Sequence, residues 1–422
     1  MLSRIYGIGL KGIEGFMVSC EVDVGAGLPQ ATLIGYVNSS VKESHDRIKT
    51  AIKNSGFELM PRKMVINLSP ADIRKEGCAY DLPIAIAMLE AYKIIKSELL
   101  NNSAFIGELS LGGNLLPVRG VLALVMAAKE AGIKHIFLPK ENAKEAGVVE
   151  GIDCYGVGSL KETCDLIKRS LRGQEPVRYE YNEFDEYDEK LDFSDINGQE
   201  LSKRATIIAV SGRHNILYIG PAGTGKSMLA ARIPSIMPGM SMGERVEISK
   251  LHSICGQLPP DEALVKVRPY RHPHHTISPQ ALVGGGKYPK PGEISLASGG
   301  VLFLDELAEF KKDALEVLRQ PLEEGVVSIS RVQASYTFPA SFLLCAATNP
   351  CKCGFYPDRS RCNCDERMVK NYLSKISKPL LDRIDIYVET NLISYEEIKQ
   401  SSKNKTGKEI RKKVEEVRQI QL

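Results

Sequence analysis

One short segment limits the fold of this 422-residue sequence more than any other. Residues 220–227 read GPAGTGKS, with the apolar run NILYI before them and a helix-forming run after them. A glycine-rich loop between a strand and a helix can wrap its N–H groups around phosphates, which the helix N-terminus also favours. The segment therefore predicts a nucleoside triphosphate site in a parallel α/β sheet.

The side chains of this loop have different expected roles. Lys226 would place its ammonium at the β- and γ-phosphates, and the Ser227 hydroxyl would ligate Mg²⁺. The residues predicted to contact the nucleotide are the loop and the first residue after it: Gly220, Pro221, Ala222, Gly223, Thr224, Gly225, Lys226, Ser227 and Met228.

A second element completes this site. Residues 301–306 read VLFLDE, an apolar strand that ends in two carboxylates. We expect Asp305 to hold the magnesium shell and Glu306 to polarise the attacking water. Such a strand end is common by itself, but after a phosphate-binding loop it predicts the Walker B element of an ATPase.

Two further residues follow in the order that an ATP-hydrolysing ring requires. Asn349, after the apolar run 342–347, is predicted to orient the lytic water; the alternative is an ordinary turn before Pro350. Arg383 is predicted to reach the γ-phosphate of a neighbouring subunit. Its alternative is a surface salt bridge with Asp382 or Asp385.

Four of the ten cysteines are clustered, as the pairs Cys351/Cys353 and Cys362/Cys364. In an extended segment, residues i and i+2 point to the same side, so two such pairs can present four thiolates to one Zn²⁺. The alternative is four reduced thiols without metal, since C-x₂-C is the commoner ligand spacing. The isolated cysteines elsewhere favour a reducing compartment, and hence the cytoplasm.

Composition divides the chain. Strand-like runs (18–24, 64–68, 135–138) and helix-like runs (79–92, 119–131) alternate before a strongly acidic stretch. The predicted parts are a first domain (1–171), a linker (172–195), an ATPase domain (196–395) and the start of a polar helical region (396–422). A net charge of +3 indicates no general basic field. The apolar run 82–89 is too short to cross a membrane, and the N-terminus has no signal-peptide core.

Residues 268–306 resemble the magnesium-chelatase-like AAA+ ATPases of the ComM/YifB type, in PHHTIS, GGG, PGEISLA and the Walker B strand. Residues 195–199 (DINGQ) resemble that family's adenine-side segment. The resemblance implies an insert before the Walker B strand and a hairpin at 324–331, both facing the pore of a hexamer. Arg331 and Lys287 would be pore cations. His274 and His275 would be structural or pore-lining, with metal ligation or acid–base chemistry as the alternative.

Residues 107–120 (GELSLGGNLLPVRG) and the later LPKEN resemble the Lon protease fold. That fold implies a Ser nucleophile within 75–81 and a Lys base after Gly120. This chain has Cys78 in the first place and the apolar run 121–124 in the second. We therefore expect a non-proteolytic α+β domain that helps assemble the ring or contacts DNA. The sequence stops where the resemblance leads into a helical lid, so the lid is predicted to be truncated, without a sensor 2 residue.

The predicted function is that of an ATP-dependent homo-hexameric DNA motor, a branch-migration helicase of natural transformation or recombination. This activity is implied by the resemblance. The expected cofactors are ATP, Mg²⁺ and Zn²⁺, and the expected partner is single-stranded or branched DNA, with no membrane. A magnesium-chelatase ATPase subunit is one alternative, although such subunits lack a Lon-like extension. An ATP-dependent protease or chaperone is another, although the Ser/Lys pair of a protease is missing.

Overall fold

The computed structural model describes residues 2–179, 191–259, 262–286, 289–331, 334–392 and 405–421. Residues 180–190 of the predicted linker and the predicted pore cation Lys287 lie outside these ranges. The chain forms two compact units: Met1–Asn182 with Ser249–Val265, and Glu183–Ile248 with Lys266–Leu422.

The first unit is built on a mixed sheet of order β3-β4-β2-β1-β5-β8-β9, in which β1, β2 and β4 pair antiparallel and the other neighbours pair parallel. Its strands are β1 (Leu2–Lys11), β2 (Glu14–Gly25), β3 (Ala31–Ile34), β4 (Lys63–Ser69), β5 (Ser103–Phe105), β6 (Glu108–Leu109), β7 (Leu115–Leu116), β8 (His135–Pro139) and β9 (Asp153–Val157). Its helices are α1 (Ser39–Asn54), α2 (Asp81–Ala91), α3 (Val121–Glu130), α4 (Ala143–Ala146) and α5 (Leu160–Lys168).

Local chemistry explains several of these elements. The Asn38 side chain accepts a hydrogen bond from the Val41 N–H and begins α1. Helix α2 is apolar on nearly every side because it is buried against β1, β2 and α1. The sequence did not predict β1, because Gly7 and Gly9 interrupt its pattern. The close packing of β1 explains why glycine occurs there, since a Cβ at Gly9 would lie 2.2 Å from the Tyr80 hydroxyl oxygen.

The first unit extends beyond the predicted domain 1–171. It includes residues 249–265, because the Ser253 hydroxyl accepts a hydrogen bond from the Gly120 N–H (2.9 Å) and donates one to Glu145 (2.5 Å). Burial raises the pKa of this glutamate. A boundary read along the sequence could not find this contact, since its partners are more than a hundred residues apart.

The second unit contains a parallel sheet of order β11-β14-β17-β10-β18 and two small hairpins, β12/β13 and β15/β16. Its strands are β10 (Ile216–Ile219), β11 (Tyr270–Arg271), β12 (Gly284–Gly285), β13 (Lys290–Pro291), β14 (Val301–Leu304), β15 (Val326–Arg331), β16 (Ala334–Pro339), β17 (Leu343–Thr348) and β18 (Ile386–Glu389). Its helices are α6 (Glu200–Gly212), α7 (Lys226–Ala231), α8 (Ile233–Ile236), α9 (Met242–Ile254, whose last turns belong to the first unit), α10 (Pro279–Val283), α11 (Glu293–Leu296), α12 (Lys312–Glu316), α13 (Arg319–Glu324), α14 (Glu366–Leu373), α15 (Lys378–Leu381) and α16 (Gly407–Gln421).

The predicted parallel α/β sheet is confirmed. Every residue of β14 and β17 is buried, as strands covered on both faces require. Because β10, β14 and β17 run in the same direction, their carboxyl ends meet at one edge of the sheet. That edge carries the glycine-rich loop, Asp305, Glu306 and Asn349, whereas Arg383 lies before β18, at the opposite edge.

Helix α16 packs on the same core. Ile410 and Val414 join a buried cluster with Phe193 and residues of α6 and α8. Within the described ranges, no helix is long and apolar enough to cross a membrane.

Candidate nucleotide site and cysteine cluster

The glycine-rich loop connects β10 to α7. Gly220 lies so close to Thr390 that a Cβ there would come within 2.1 Å of the threonine hydroxyl oxygen. Gly223 and Gly225 have φ values of +82° and +84°, and a Cβ built on either residue would have no described atom of another part of the chain within 4 Å. The positive φ values favour glycine at both positions, and a glycine-rich backbone of this kind can turn its N–H groups toward a phosphate chain.

Lys226 lies at the floor of this loop and is only 8% exposed. Its Nζ donates to the carbonyl oxygens of Gly220 (2.7 Å) and Pro221 (2.8 Å), and lies 3.4 Å from Asn349 Oδ1. Burial lowers the pKa of this ammonium, while the charges of Asp305 and Glu306 oppose that shift. The structure therefore brings together the Walker A lysine and the predicted water-orienting asparagine.

Ser227 and Asp305 meet across the same edge. The Ser227 hydroxyl donates to Asp305 Oδ2 at 2.6 Å, although the residues lie on different elements. A hydroxyl and a carboxylate are the hard oxygen ligands that Mg²⁺ prefers, so this pair fits the ion. Bound there, Mg²⁺ would neutralise the charge that develops on the phosphates.

Glu306 has a left-handed backbone, with φ of +52°. A residue other than glycine in this region costs about 1–3 kcal/mol, and such residues cluster at functional sites. Its N–H donates to Asp305 Oδ1 (2.9 Å), and its Oε2 lies 3.1 Å from His275 Nδ1.

His275 lies beside the predicted catalytic carboxylate. The sequence favoured a structural or pore-lining role for His274 and His275, with metal ligation or acid–base chemistry as the alternative, and did not indicate this contact. The signal that could have found it is sheet order. Strand β11 lies beside β14, so the loop after β11 reaches the edge that holds Asp305 and Glu306.

Arg383 is paired with neither of the aspartates that the sequence offered. Its guanidinium contacts Glu323 of α13, and both side chains are partly exposed. Asp385 instead accepts from the Asn215 N–H (2.8 Å), and the Asn215 side-chain amide donates to the Arg383 carbonyl (2.8 Å). An exposed ion pair contributes about 0–1 kcal/mol, so the guanidinium can exchange this partner at little cost.

The predicted adenine-side segment touches the loop. The Gln199 side-chain amide donates to the carbonyls of Thr224 (3.1 Å) and Asn391 (2.5 Å), and Asp195 pairs with Arg232 (3.0 Å). Beside it lies a cavity of about 1050 Å³, lined in part by Phe193, Asn197, Gly198, Lys203, Ile207 and Ile410. This volume is ample for a nucleobase and ribose.

The four clustered cysteines converge on one point. Their sulfur atoms all lie within 4.8 Å of one another, and three pairs are 3.3, 3.5 and 3.8 Å apart. Four thiolates placed tetrahedrally at 2.3 Å from Zn²⁺ lie about 3.8 Å apart, so the donor set fits this ion. Hydrogen bonds from the Phe355 N–H and the Cys351 thiol lower the pKa of Cys353 to about 6, which favours its thiolate.

The loop that carries these cysteines adjoins the nucleotide loop. Gly354 has φ of +86°, and a Cβ there would lie 4.0 Å from the Ala222 amide nitrogen. The Arg359 guanidinium donates to the Cys364 carbonyl (2.7 Å), and Arg361 lies over the Phe355 ring at 4.2 Å. The segment that carries the cysteine cluster thus approaches the loop predicted to bind phosphates.

The first unit lacks proteolytic residues where the Lon resemblance would place them. Cys78 is partly buried, and burial raises the pKa of its thiol, which disfavours the nucleophilic thiolate. The residues after Gly120 are Val121 to Leu124, all buried and apolar at the start of α3. Neither position can supply a Ser/Lys dyad.

Comparison with known proteins agrees with this geometry. The family described as magnesium chelatase, subunit ChlI, matches residues 192–398, and a second family described as subunit ChlI of Mg-chelatase matches residues 20–142. The Competence protein ComM of Haemophilus influenzae is 39% identical over 428 residues, covering 100% of this chain and 83% of that protein.

Two further relatives extend the comparison. The YifB protein of Escherichia coli is 40% identical over 399 residues, covering 93% of this chain and 76% of that protein. A Lon protease of Amoebophilus asiaticus is 30% identical over 146 residues, covering 33% of this chain and 17% of that protein. The chain therefore belongs to the magnesium-chelatase-like AAA+ ATPases of the ComM/YifB type, as its sequence motifs predicted.

Proposed function

We propose that this ATPase is a DNA motor that works as a homo-hexamer, a branch-migration helicase of natural transformation or recombination. The observation that carries the proposal is the position of the cation-bearing hairpin β15/β16 in the same unit as the nucleotide site. The relative from Haemophilus influenzae bears the name of a competence protein, which supports the link to DNA uptake.

The two inserts implied by the resemblance lie side by side. Arg331 at the end of β15 is exposed. A Cβ built on Gly285 in β12 would lie 3.7 Å from the Arg331 guanidinium. A ring of six chains would gather six such cations around one channel. A net charge of +3 supplies no general field, so local cations have to provide the contacts to phosphates.

A magnesium-chelatase ATPase subunit is the second candidate, and the description of the matching family favours it. The two candidates differ in their substrate, since a chelatase motor needs no DNA. A protease is disfavoured by Cys78 and the apolar start of α3. None of the ten cysteines, which all lie in the described ranges, takes part in a disulfide, and this supports a reducing compartment and the proposed cytoplasmic location.

Arg331→Ala should weaken the binding of forked DNA about tenfold or more. It should also reduce the dependence of affinity on salt, because fewer phosphate contacts mean that fewer counterions are released when DNA binds. The loss should be similar for unrelated DNA sequences, and the ATPase rate without DNA should stay near that of the wild type. The measurement is fluorescence anisotropy of labelled forked DNA at two salt concentrations, with a non-hydrolysable ATP analogue.

Lys412→Ala is the matched control, since it removes one exposed cation from α16. Its DNA affinity should stay within about twofold of the wild type. Absence of DNA binding by an assembled wild-type ring would reject the motor and favour the chelatase reading. Binding that resists Arg331→Ala would place the DNA outside the channel, for example on the Lon-like unit.

We also propose that Cys351, Cys353, Cys362 and Cys364 hold one structural Zn²⁺ per chain. Elemental analysis of protein never exposed to chelator should give a ratio of about one. Cys362→Ser should lose the metal and lower the melting temperature, because binding of the ion contributes to folding. Cys255→Ser, which changes a cysteine outside the cluster, should keep the metal and the melting temperature of the wild type. A ratio near zero in the wild type would remove the site.

A further inference from the structure

The four clustered cysteines differ in their access to solvent. Cys351 is fully buried, and Cys362 and Cys364 are only 5% and 8% exposed. Cys353, in contrast, is the one exposed cysteine among the ten of the chain, all of which lie in the described ranges. A small oxidant in solution therefore reaches the cluster first at the sulfur atom of Cys353.

A second sulfur atom lies beside that of Cys353. The Sγ atoms of Cys353 and Cys362 are 3.5 Å apart, and the two residues are nine positions apart in the chain. A disulfide bond is about 2.05 Å long, so a small movement would join this pair. Cys351 is also near, at 3.3 Å from Cys353, but a bond between residues two positions apart would close a far shorter ring. The geometry thus favours the pair Cys353/Cys362.

Oxidation of this pair would change the donor set of the cluster. A thiolate is the form of cysteine that ligates a metal, and a disulfide sulfur no longer carries that charge. A structural Zn²⁺ site uses four protein ligands, so the loss of two leaves Cys351 and Cys364 unable to hold the ion. Formation of the disulfide and release of Zn²⁺ would therefore occur together.

The cluster is linked to the nucleotide site through the chain. Asn349, predicted to orient the lytic water, lies two residues before Cys351, and its Oδ1 is 3.4 Å from Lys226 Nζ. Gly354, within the same loop, lies close to the glycine-rich loop, since a Cβ there would be 4.0 Å from the Ala222 amide nitrogen. A rearrangement of the cysteines is therefore expected to displace residues predicted to act on ATP.

We propose that Cys353 and Cys362 form a reversible redox site, at which hydrogen peroxide produces a disulfide, releases Zn²⁺ and lowers the rate of ATP hydrolysis. The Cys353 thiolate attacks one peroxide oxygen, the O–O bond breaks, and a sulfenic acid forms while hydroxide leaves. The Cys362 thiolate then attacks this sulfur, the S–O bond breaks, and a second hydroxide leaves. Each hydroxide takes up a proton to become water. Two electrons pass from the sulfur atoms to the peroxide, and a dithiol returns them by thiol–disulfide exchange.

This redox site agrees with the other cysteines. Disulfides in a reducing compartment are usually transient and serve catalysis or redox sensing, so a reversible pair fits the compartment inferred from cysteine usage. The release of metal rests on the Zn²⁺ site proposed above, whereas the reaction between the two sulfur atoms does not. Neither depends on the proposed DNA motor.

The test treats the full chain, purified with its Zn²⁺, with a small molar excess of hydrogen peroxide. A chelating dye should detect the release of about one Zn²⁺ per chain. Peptide mass spectrometry after alkylation should find Cys353 joined to Cys362. The kcat for ATP should fall roughly tenfold or more, because a small misplacement of a group such as Asn349 is costly. Dithiothreitol with added Zn²⁺ should restore kcat.

Cys353→His separates metal binding from oxidation, since an imidazole can ligate Zn²⁺ but has no thiol to oxidise. This variant should bind about one Zn²⁺ per chain, and in peroxide it should keep both the ion and its kcat. Cys78→Ser is the matched control, because it removes a partly buried thiol outside the cluster. It should respond to peroxide as the wild type does.

Wild-type protein that keeps its thiols reduced and its ion bound in peroxide would overturn the redox site, and this result needs no variant. A disulfide that leaves kcat unchanged would overturn the control of hydrolysis. Loss of kcat by Cys353→His at the wild-type rate would show that peroxide acts elsewhere. If the protein as purified holds no zinc, yet peroxide still joins Cys353 to Cys362 and lowers kcat, the redox site stands and the zinc proposal fails.

Discussion

Replacing Glu306 with glutamine is expected to lower the rate of ATP hydrolysis by roughly two to four orders of magnitude, the contribution usual for a general base. An amide has nearly the shape of the carboxylate but cannot accept the proton of the attacking water. Nucleotide binding should persist, because Lys226, Ser227 and Asp305 are unchanged. Turnover is measured as phosphate release, and binding as the affinity for a fluorescent ATP analogue.

Two companion variants make this result specific. Lys226→Ala should lose nucleotide affinity as well as turnover, since the buried ammonium lies at the floor of the loop. Glu309→Gln changes a nearby carboxylate that pairs with Lys375 at the surface (3.3 Å), and its turnover should stay near that of the wild type. Normal hydrolysis by Glu306→Gln would show that another group activates the water.

Much of the nucleotide site could be predicted because its signals are local. The strands that end just before Gly220, Asp305 and Asn349 are mostly apolar runs, and such runs indicate the buried strands of a parallel sheet. Since parallel strands present their carboxyl ends at one edge, the motifs after them had to lie near one another. The structure places Ser227 and Asp305 in direct contact, as that reasoning requires.

The partners of these residues could not be predicted in the same way. His275 reaches Glu306 only because β11 is a neighbour of β14, and strand order is not written in a local pattern. Arg383 stands between two aspartates in sequence, yet it contacts Glu323, sixty residues earlier. The alternative that short-range charge patterns offered, a salt bridge with Asp382 or Asp385, is not formed, and Asp385 accepts from the Asn215 N–H instead.

The cysteine cluster is an intermediate case. Spacing by two residues predicted that each pair points to one side, and the four sulfur atoms do converge. The approach of Gly354 to Ala222 depends on how the whole loop folds, and nothing in the spacing indicates it.

Replacing Arg383 with alanine is expected to lower kcat about a thousandfold or more, the effect usual when a guanidinium that stabilises phosphoryl transfer is removed. Affinity for ATP should change little, because the residues of the glycine-rich loop remain. Glu323→Gln is the matched variant. It frees the guanidinium from its partner within the chain without removing it, so its kcat should equal or exceed that of the wild type.

Mixing two inactive variants tests whether Arg383 acts on a neighbouring subunit. A ring with head-to-tail interfaces places the loop of one chain against a different surface of the next. When Lys226→Ala and Arg383→Ala chains are mixed equally, roughly a quarter of the interfaces should combine an intact Lys226 with an intact Arg383. Activity should then return toward a quarter of the wild-type value, with ring assembly checked by light scattering. Assembled rings that stay inactive at every mixing ratio would instead confine Arg383 to its own chain, where the contact with Glu323 already holds it.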